Sequence, residues 1–290
     1  MTQPVKTRAL SVEAASHANR GHSKTDRKHN SERAADCGHP ARGIGFKAAQ
    51  GRNDYRRATS GAAVETVRAV LFDLDGTLFD YAGSVDAALR SWLPEIGVAA
   101  EADVLLRWVS LEREHYPASR DGLISWTEHR RLRLRAFLDA VGLPALEDAG
   151  LDEMFAGYLR SFEASYRCFA DAAPTLRRAR EAGLATAVLT NGSTQRQTGK
   201  LEATGLLPLC GTVFSSELLG APKPRPEAYL EACARLGSSP GETLIVGDDH
   251  EADVLGARAC GLAAVHLDRT GDHPVPEARR IRTLERLEFR

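Results

Sequence analysis

Short apolar runs alternate with longer stretches of helical periodicity along most of this chain of 290 residues. Five runs after residue 66 are short and rich in branched side chains, which is typical of buried strands. They lie at 67–72, 184–190, 212–215, 243–247 and 263–267. Helical spacing occupies the intervals near 172–182, 194–204, 225–236 and 251–260. Repeated β-α-β units of this kind predict a doubly wound parallel sheet, a Rossmann-like α/β fold.

One long segment, residues 81–170, interrupts this alternation. It contains no convincing strand, and its apolar positions recur at helical spacing, as at Val104, Leu105, Trp108 and Leu111. The pattern predicts a bundle of about four helices inserted between the first and second strands. We therefore expect a core domain from 67–80 and 171–290 and an inserted helical cap domain at 81–170, placed to cover a pocket.

Residues 1–66 differ from the rest because they lack apolar periodicity and hold twelve Lys/Arg against six Asp/Glu. Such a segment buries too little apolar surface to offset its ordering entropy, so we expect a disordered basic extension. A nucleic-acid-binding arm or a transit peptide is an alternative, as is a start codon placed too early. Because acids are interspersed among the basic residues, we favour an extension without a binding role.

Composition narrows the class of protein further. A formal net charge of −1 indicates no general attraction to nucleic acid or membranes, and no apolar stretch approaches the length of a membrane span. The five cysteines are odd in number and show no CxxC spacing, which favours a reducing cytoplasm over a disulfide framework. The oligomeric state is left open by these observations.

Two carboxylates, Asp73 and Asp75, follow the first strand directly, and Gly76 then turns the chain. Acids at the carboxyl end of a parallel strand suit a divalent cation and nucleophilic or acid-base chemistry. An Asp-Gly pair is also a common turn signal, so a surface hairpin is the alternative for this motif alone.

Polar residues also follow later strands. Thr190 and Asn191 end the second strand and could hold phosphate oxygens, although a capped turn is the alternative. Lys223 stands between two prolines, as a positioned cation would, or in a plain polar loop. Asp248 and Asp253 follow the fourth strand at i and i+5, which suits a hard cation, with helix capping as the alternative. His250 has no histidine or cysteine partner at zinc-binding spacing.

Together these four motifs, in this order over about residues 67–270, resemble those of the haloacid-dehalogenase-like (HAD) hydrolase superfamily. The inserted helices resemble the cap of its phosphoglycolate-phosphatase and pyrimidine-nucleotidase branch. The resemblance implies that Asp73 is a nucleophile forming an aspartyl-phosphate and that Asp75 is the general acid/base. It also implies phosphate contacts from Thr190, Asn191 and Lys223. It places Mg²⁺ at Asp73, Asp75, Asp248 and Asp253, with Asp75 contributing its backbone carbonyl.

The resemblance therefore predicts a Mg²⁺-dependent phosphomonoester hydrolase of a small phosphorylated metabolite, such as a nucleotide, a sugar phosphate or phosphoglycolate. A phosphomutase, a 2-haloacid dehalogenase or a non-catalytic binding protein on the same scaffold are the alternatives. A dehalogenase fits less well, because a leaving halide needs no proton and Asp75 occupies the acid/base position.

Specificity is expected to come from the cap. Four arginines of one cap segment, Arg130, Arg131, Arg133 and Arg135, are candidates for binding a second anionic group, although a solvated, charged helix face is the better expectation for most of them. Trp108, Tyr116 and Trp126 could stack on a base, with core packing the better expectation. Gln195, Gln197 and Lys200, after the second motif, resemble nucleotidase and sugar-phosphate phosphatase members.

Overall fold

A computed structural model describes the backbone of Ala62–Val64 and residues 67–274 and 279–289. The first strand, β1, is Ala62–Val64, and β2 is Ala69–Phe72. Four long helices follow before the next strand: α1 (Tyr81–Glu95), α2 (Ala102–Arg120), α3 (Trp126–Ala140) and α4 (Asp148–Ala164). The number of these helices agrees with the sequence-based expectation for 81–170.

After the insertion, helices and strands alternate to the end of the described chain. The helices are α5 (Ala172–Glu181), α6 (Thr194–Ala203), α7 (Leu207–Cys210), α8 (Ser216–Leu219), α9 (Pro226–Leu236), a π-helical turn at His250–Leu255 and α10 (Gly256–Ala259). Short 3-10 turns lie at Pro240–Glu242 and Leu284–Arg286. The strands are β3 (Ala185–Thr190), β4 (Thr212–Ser215), β5 (Thr243–Gly247), β6 (Ala263–Leu267), β7 (Arg280–Ile281) and β8 (Leu287–Phe289).

The main sheet has six parallel strands in the order β4-β3-β2-β5-β6-β7. Its central strand β2 pairs with β3 and β5 so that Phe72 lies opposite both Val188 and Val246. The strands β2, β3 and β5 precede the first, second and fourth motifs. They are adjacent and parallel, so they end at the same edge of the sheet. The predicted parallel Rossmann-like sheet with an inserted helical cap is confirmed.

Successive residues of β2 pack on opposite faces of the sheet, as the pleat requires. Val70 and Phe72 join a large core that continues into the cap, whereas Leu71 packs with Tyr229 and Ile245 on the other face. Burial on both faces explains why β2 is a continuous apolar run without polar alternation.

The cap is held by an aromatic cluster among its four helices. The ring of Trp108 lies 5.3 Å from Trp92, 4.9 Å from Phe137 and 4.7 Å from Tyr158, measured between centroids. Edge-on and tilted pairs at these distances add about 0.5–1.5 kcal/mol each beyond their buried area. Trp108 is thus a packing residue, as expected for an aromatic at helical spacing.

Two features lie outside the sequence-based expectations. Ala62–Val64, within the segment expected to be disordered, form a strand that pairs in parallel with Leu287–Phe289. Residues 1–61 lie outside the described residues, and the expectation for them stays a prediction. Across the described ranges, no helix combines the length and apolar character that a membrane crossing requires.

Candidate active site

Three carboxylates converge where β2 and β5 end. Asp73 follows β2, and Asp248 and Asp253 follow β5; one carboxylate oxygen from each lies within 4.8 Å of the others. Asp73 and Asp253 are 7% and 0% exposed, whereas Asp248 is open to solvent. Because β2 and β5 are adjacent parallel strands, their ends bring together acids that lie far apart in the sequence.

Lys223 neutralises part of this cluster. Its Nζ lies 2.8 Å from Asp73 Oδ1 and 2.5 Å from Asp253 Oδ1, and its side chain is 3% exposed. Burial would lower the pKa of Lys223, but the charges of Asp253 and Asp73 outweigh burial and hold that pKa well above its ordinary value. Lys223 is therefore a fixed cation, and the polar-loop alternative does not describe it.

One ammonium does not balance three carboxylates. Burial raises the pKa of Asp73 to about 7, with Lys223 opposing and Asp253 reinforcing the rise. The pKa of Asp248 is also raised, by loss of hydration inside the cleft and by the charges of Asp73 and Asp253, although its side chain reaches solvent. Asp73 Oδ2 is buried without a hydrogen-bond partner. A divalent cation fits this donor set, since it would supply both the missing charge and the missing partner.

Two glycines allow the acids to approach. Gly76 has φ +91°, and a Cβ atom there would lie 2.2 Å from Asp248 Oδ2. A Cβ atom at Gly247 would lie 2.1 Å from Asp253 Oδ2. Neither position can carry a side chain without displacing a carboxylate. Gly76 therefore both turns the chain and leaves space for the carboxylate of Asp248.

The acids after β5 divide into two roles. Asp249 caps the following turn, because its Oδ1 accepts hydrogen bonds from the amides of Glu251 and Ala252. Asp253 instead faces Lys223 and accepts a hydrogen bond from the Asp249 amide. Helix capping is therefore the role of Asp249, whereas Asp248 and Asp253 belong to the acidic cluster with Asp73.

Asp75 points away from the acidic cluster and toward α6. Lys200 Nζ lies 2.6 and 2.7 Å from its two carboxylate oxygens, and Gln197 Nε2 donates to Oδ2 at 2.9 Å. The same Gln197 nitrogen lies 2.6 Å from the hydroxyl of Thr190. The Asp75 side chain is thus not one of the three convergent carboxylates, which is consistent with a metal contact from its backbone only. We infer that Gln197 and Lys200 position Asp75.

Asn191 has a different geometry from the one expected of a phosphate ligand. Its Nδ2 donates to the carbonyl of Lys223 at 2.9 Å, and its Oδ1 accepts from the amide of Lys223 at 2.8 Å. These two hydrogen bonds hold the backbone of Lys223 against the loop that follows β3. The side chain of Asn191 positions Lys223, and direct contact of Asn191 with phosphate stays a prediction.

Arg269, which the sequence did not single out, braces the turn after the first motif. Its guanidinium donates to the carbonyls of Gly76 and Thr77 at 3.2 and 2.7 Å and pairs with Asp171 through two bonds of 3.0 and 2.9 Å. Burial would raise the pKa of Asp171, but hydrogen bonds from Arg269 and the Leu284 amide outweigh burial and hold it below the ordinary value. No spacing rule connects residues this far apart in sequence.

We expect Arg269→Met to lower the free energy of unfolding by about 3 kcal/mol at neutral pH, since Asp171 loses its charged partner while buried. This contribution exists above the unfolded pKa of about 3.9 and disappears as pH falls through the lowered folded pKa. Urea unfolding at neutral and acid pH would measure the effect, and the two proteins should converge in acid. Arg90→Met, which breaks an exposed pair with Asp86, is the control; equal losses in both variants would contradict the assignment.

A cavity of about 660 Å³ lies between the cap and the core. Asp75, Asn191 and Gln197 line it from the core side, and Trp126 and Tyr116 line it from the cap. Trp126 is 41% exposed, so for this residue the core-packing expectation is wrong, whereas Tyr116 is half-buried. The position of the cavity agrees with the expectation that the insertion covers a pocket.

Three histidines meet beside Asp248. The rings of His250, His266 and His273 lie 4.6–5.4 Å apart between centroids, and His266 Nε2 lies 3.2 Å from the backbone oxygen of Asp248. Spacing alone missed these neighbours of His250, because they come from the strand and loop that follow. Within the described residues, one group of three or more acidic, histidine or cysteine side chains is close enough to share a metal ion, and it consists of Asp73, Asp248 and Asp253.

The sequence is similar to those of known hydrolases. Residues 67–261 match the haloacid dehalogenase-like hydrolase family. A ribulose-1,5-bisphosphate 5-phosphatase of Halopiger xanaduensis is 32% identical over 72% of this chain and 88% of that protein. The (S)-2-haloacid dehalogenase 4A of Burkholderia cepacia is 31% identical over 73% of this chain and 87% of that protein.

Among solved structures, a HAD hydrolase of Bacillus subtilis bound to magnesium superposes with a TM-score of 0.65. The two are 26% identical, and the match covers 76% of this chain and 96% of that one. The resemblance drawn from the four motifs is confirmed, and the chain belongs to the haloacid dehalogenase-like hydrolases.

Proposed function

We propose that this hydrolase is a Mg²⁺-dependent phosphatase that cleaves phosphomonoesters of a small metabolite through an aspartyl-phosphate at Asp73. The observation that carries the proposal is the carboxylate of Asp73, which is held at Oδ1 by Lys223 and has no partner at Oδ2. A buried carboxylate that a lysine fixes in one orientation is positioned for attack. The name of the Halopiger relative supports a phosphate ester as the substrate.

Asp73, Asp248 and Asp253, with the backbone carbonyl of Asp75, would hold the Mg²⁺ ion. When bound, the ion supplies positive charge that offsets the repulsion between an anionic phosphate ester and these acids. The unpartnered Oδ2 of Asp73 and the excess of negative charge fit such an ion.

In the first step, an Asp73 oxygen attacks phosphorus and the bond to the ester oxygen breaks. Lys223 keeps the carboxylate in place and offsets charge on the phosphoryl oxygens, while Thr190 contributes a hydroxyl at the end of β3. Asp75 gives a proton to the leaving oxygen and later takes one from the water that attacks phosphorus, which restores the Asp73 carboxylate. Gln197 and Lys200 hold Asp75 on the substrate side.

Phosphate release from a panel of phosphomonoesters, measured with Mg²⁺ and after removal of metal by EDTA, tests the proposal. We expect turnover of some esters with Mg²⁺, loss of turnover with EDTA, and recovery when Mg²⁺ is restored. Including a 2-haloacid and measuring halide tests the dehalogenase alternative, and product analysis tests the phosphomutase alternative. A folded protein that releases no phosphate from any ester would contradict the proposal. The cytoplasm remains the expected location.

Asp75→Asn tests the acid role through its dependence on the leaving group. We expect kcat/KM to fall by about a hundredfold for alkyl phosphates, whose poor leaving oxygen needs a proton, and by much less for nitrophenyl phosphate. Because kcat/KM reports the steps through departure of the leaving group, slower breakdown of the intermediate does not obscure the comparison. Equal losses for both classes of ester would exclude proton donation by Asp75.

A further inference from the structure

The four arginines that the sequence singles out in the cap, all on α3, have different surroundings. Arg131 and Arg135 form ion pairs on the surface with acids of α4 and α3, and Arg133 is buried against Trp108 and paired with Glu112. Arg130 forms no ion pair within the described residues, and its guanidinium rests 5.7 Å from the centre of the Phe155 ring. Of the four arginines, only Arg131 and Arg135 therefore lie on a solvated, charged face of the helix.

Arg130 shares the cavity wall with a second arginine, Arg196, which belongs to α6 of the core. Loss of hydration and the like charge of Arg196 lower the pKa of Arg130, and the charge of Asp152 offsets only part of this fall. Arg196 likewise has no ion pair in the described ranges. One arginine of the cap and one of the core thus line a common space, and neither forms an ion pair within the described residues.

The acids that line the cavity do not neutralise this pair. Asp75 is bound by Lys200, Asp86 by Arg90, and Glu112 by Arg133 and the Tyr81 hydroxyl. Glu163 is exposed on the rim, and no ion pair joins it to either arginine. Two like charges held near one another across a cleft repel, and an anion between them would convert that repulsion into attraction.

Apolar side chains also line the cavity that contains this arginine pair. Asp75 lines the same cavity as the two arginines, and Gln197, the residue next to Arg196, donates a hydrogen bond to it. The cap supplies apolar side chains to the cavity wall from α1, α2 and α3, namely Val85, Leu89, Val109 and Trp126. A cavity of about 660 Å³ is within the range of small-molecule sites and accommodates an organic body beyond the phosphoryl group.

From these contacts we propose that Arg130 and Arg196 form a subsite for a second anionic group, at the far end of a leaving group with an apolar body. The inference rests on the proposed phosphatase function and names its substrate class: phosphomonoesters that carry a carboxylate or a second phosphate away from the scissile bond. Because the arginines come from the cap and the core, this anion also joins the two across the cleft.

Three matched series of esters test the subsite: alkyl phosphates, the same chains ending in a carboxylate, and the same chains ending in a second phosphate. Affinity is measured by calorimetry with Mg²⁺ on Asp73→Asn protein, which binds without turnover, and KM is measured on wild-type protein. We expect the terminal anion to tighten binding roughly tenfold or more at the chain length that reaches the pair. The series that gains more identifies the preferred anion.

Arg130→Gln and Arg196→Gln, each in the Asp73→Asn background, should remove most of that gain. Arg131→Gln, on the same helix but paired with Asp148 and Asp152, should keep it. Equal affinity for charged and uncharged chains at every length would overturn the inference, as would a gain that survives both substitutions. Anion-dependent binding without turnover by wild-type protein would uphold the subsite and refute the phosphatase, so the two failures are distinguishable.

Discussion

Asp73→Asn is expected to reduce kcat/KM for phosphomonoesters by about ten-thousandfold or more, since the amide cannot form the acyl-phosphate. The substitution is nearly isosteric and keeps an oxygen that can accept from Lys223, so the site should stay assembled. It also removes one of three neighbouring carboxylates. Because burial and Asp253 raise the pKa of Asp73, we expect the variant to be at least as stable as the wild type toward heat.

Rates of phosphate release and thermal unfolding curves together decide this prediction. Asp139→Asn, an exposed position at the end of α3, is the matched control and should retain full activity. Activity of the Asp73 variant within tenfold of the wild type would remove Asp73 from the nucleophilic role. Loss of activity together with a large loss of stability would instead indicate a structural effect of the substitution.

Lys223→Met is expected to abolish measurable turnover and to lower the free energy of unfolding by about 3–5 kcal/mol. The substitution leaves Asp73 and Asp253 buried without the cation that both contact. Chemical denaturation of the metal-free protein measures the loss in the free energy of unfolding. Adding Mg²⁺ should restore part of this lost stability if the ion binds the same acids.

Two variants complete this test. Lys223→Met combined with Asp253→Asn removes one of the stranded charges, so it should recover stability relative to Lys223→Met alone. Arg235→Met breaks an exposed pair with Glu231 on α9 and should change stability by less than about 1 kcal/mol. A Lys223→Met protein as stable and active as the wild type would contradict the role assigned to this lysine.

The sheet was predictable because its strands are buried on both faces and therefore appear as uninterrupted apolar runs. β2, β3, β4, β5 and β6 lie within or on the predicted segments. β7 was missed because Arg280–Ile281 is too short to show a pattern. The pairing of Ala62–Val64 with Leu287–Phe289 was missed for another reason: the two segments lie far apart in the sequence, and local periodicity cannot connect them.

The acids of the site were predictable because each follows a strand, and parallel strands bring such positions to one edge. The supporting residues were harder to find. Gln197 and Lys200 were noted only as a resemblance, because the sequence does not show that α6 turns them toward Asp75. Arg269 reaches the Gly76 turn from a distant loop, and Asn191 holds Lys223 through backbone atoms that carry no sequence signal.

Reduction of the working enzyme with borohydride tests the central claim most directly. An aspartyl-phosphate is an acyl-phosphate, so borohydride added during turnover of a good ester should convert the trapped side chain to homoserine. We predict that peptide mass spectrometry will find homoserine at position 73, only with ester and Mg²⁺ present and not in Asp73→Asn protein. Turnover of the ester with an unmodified Asp73, or with the label at another carboxylate, would contradict the account.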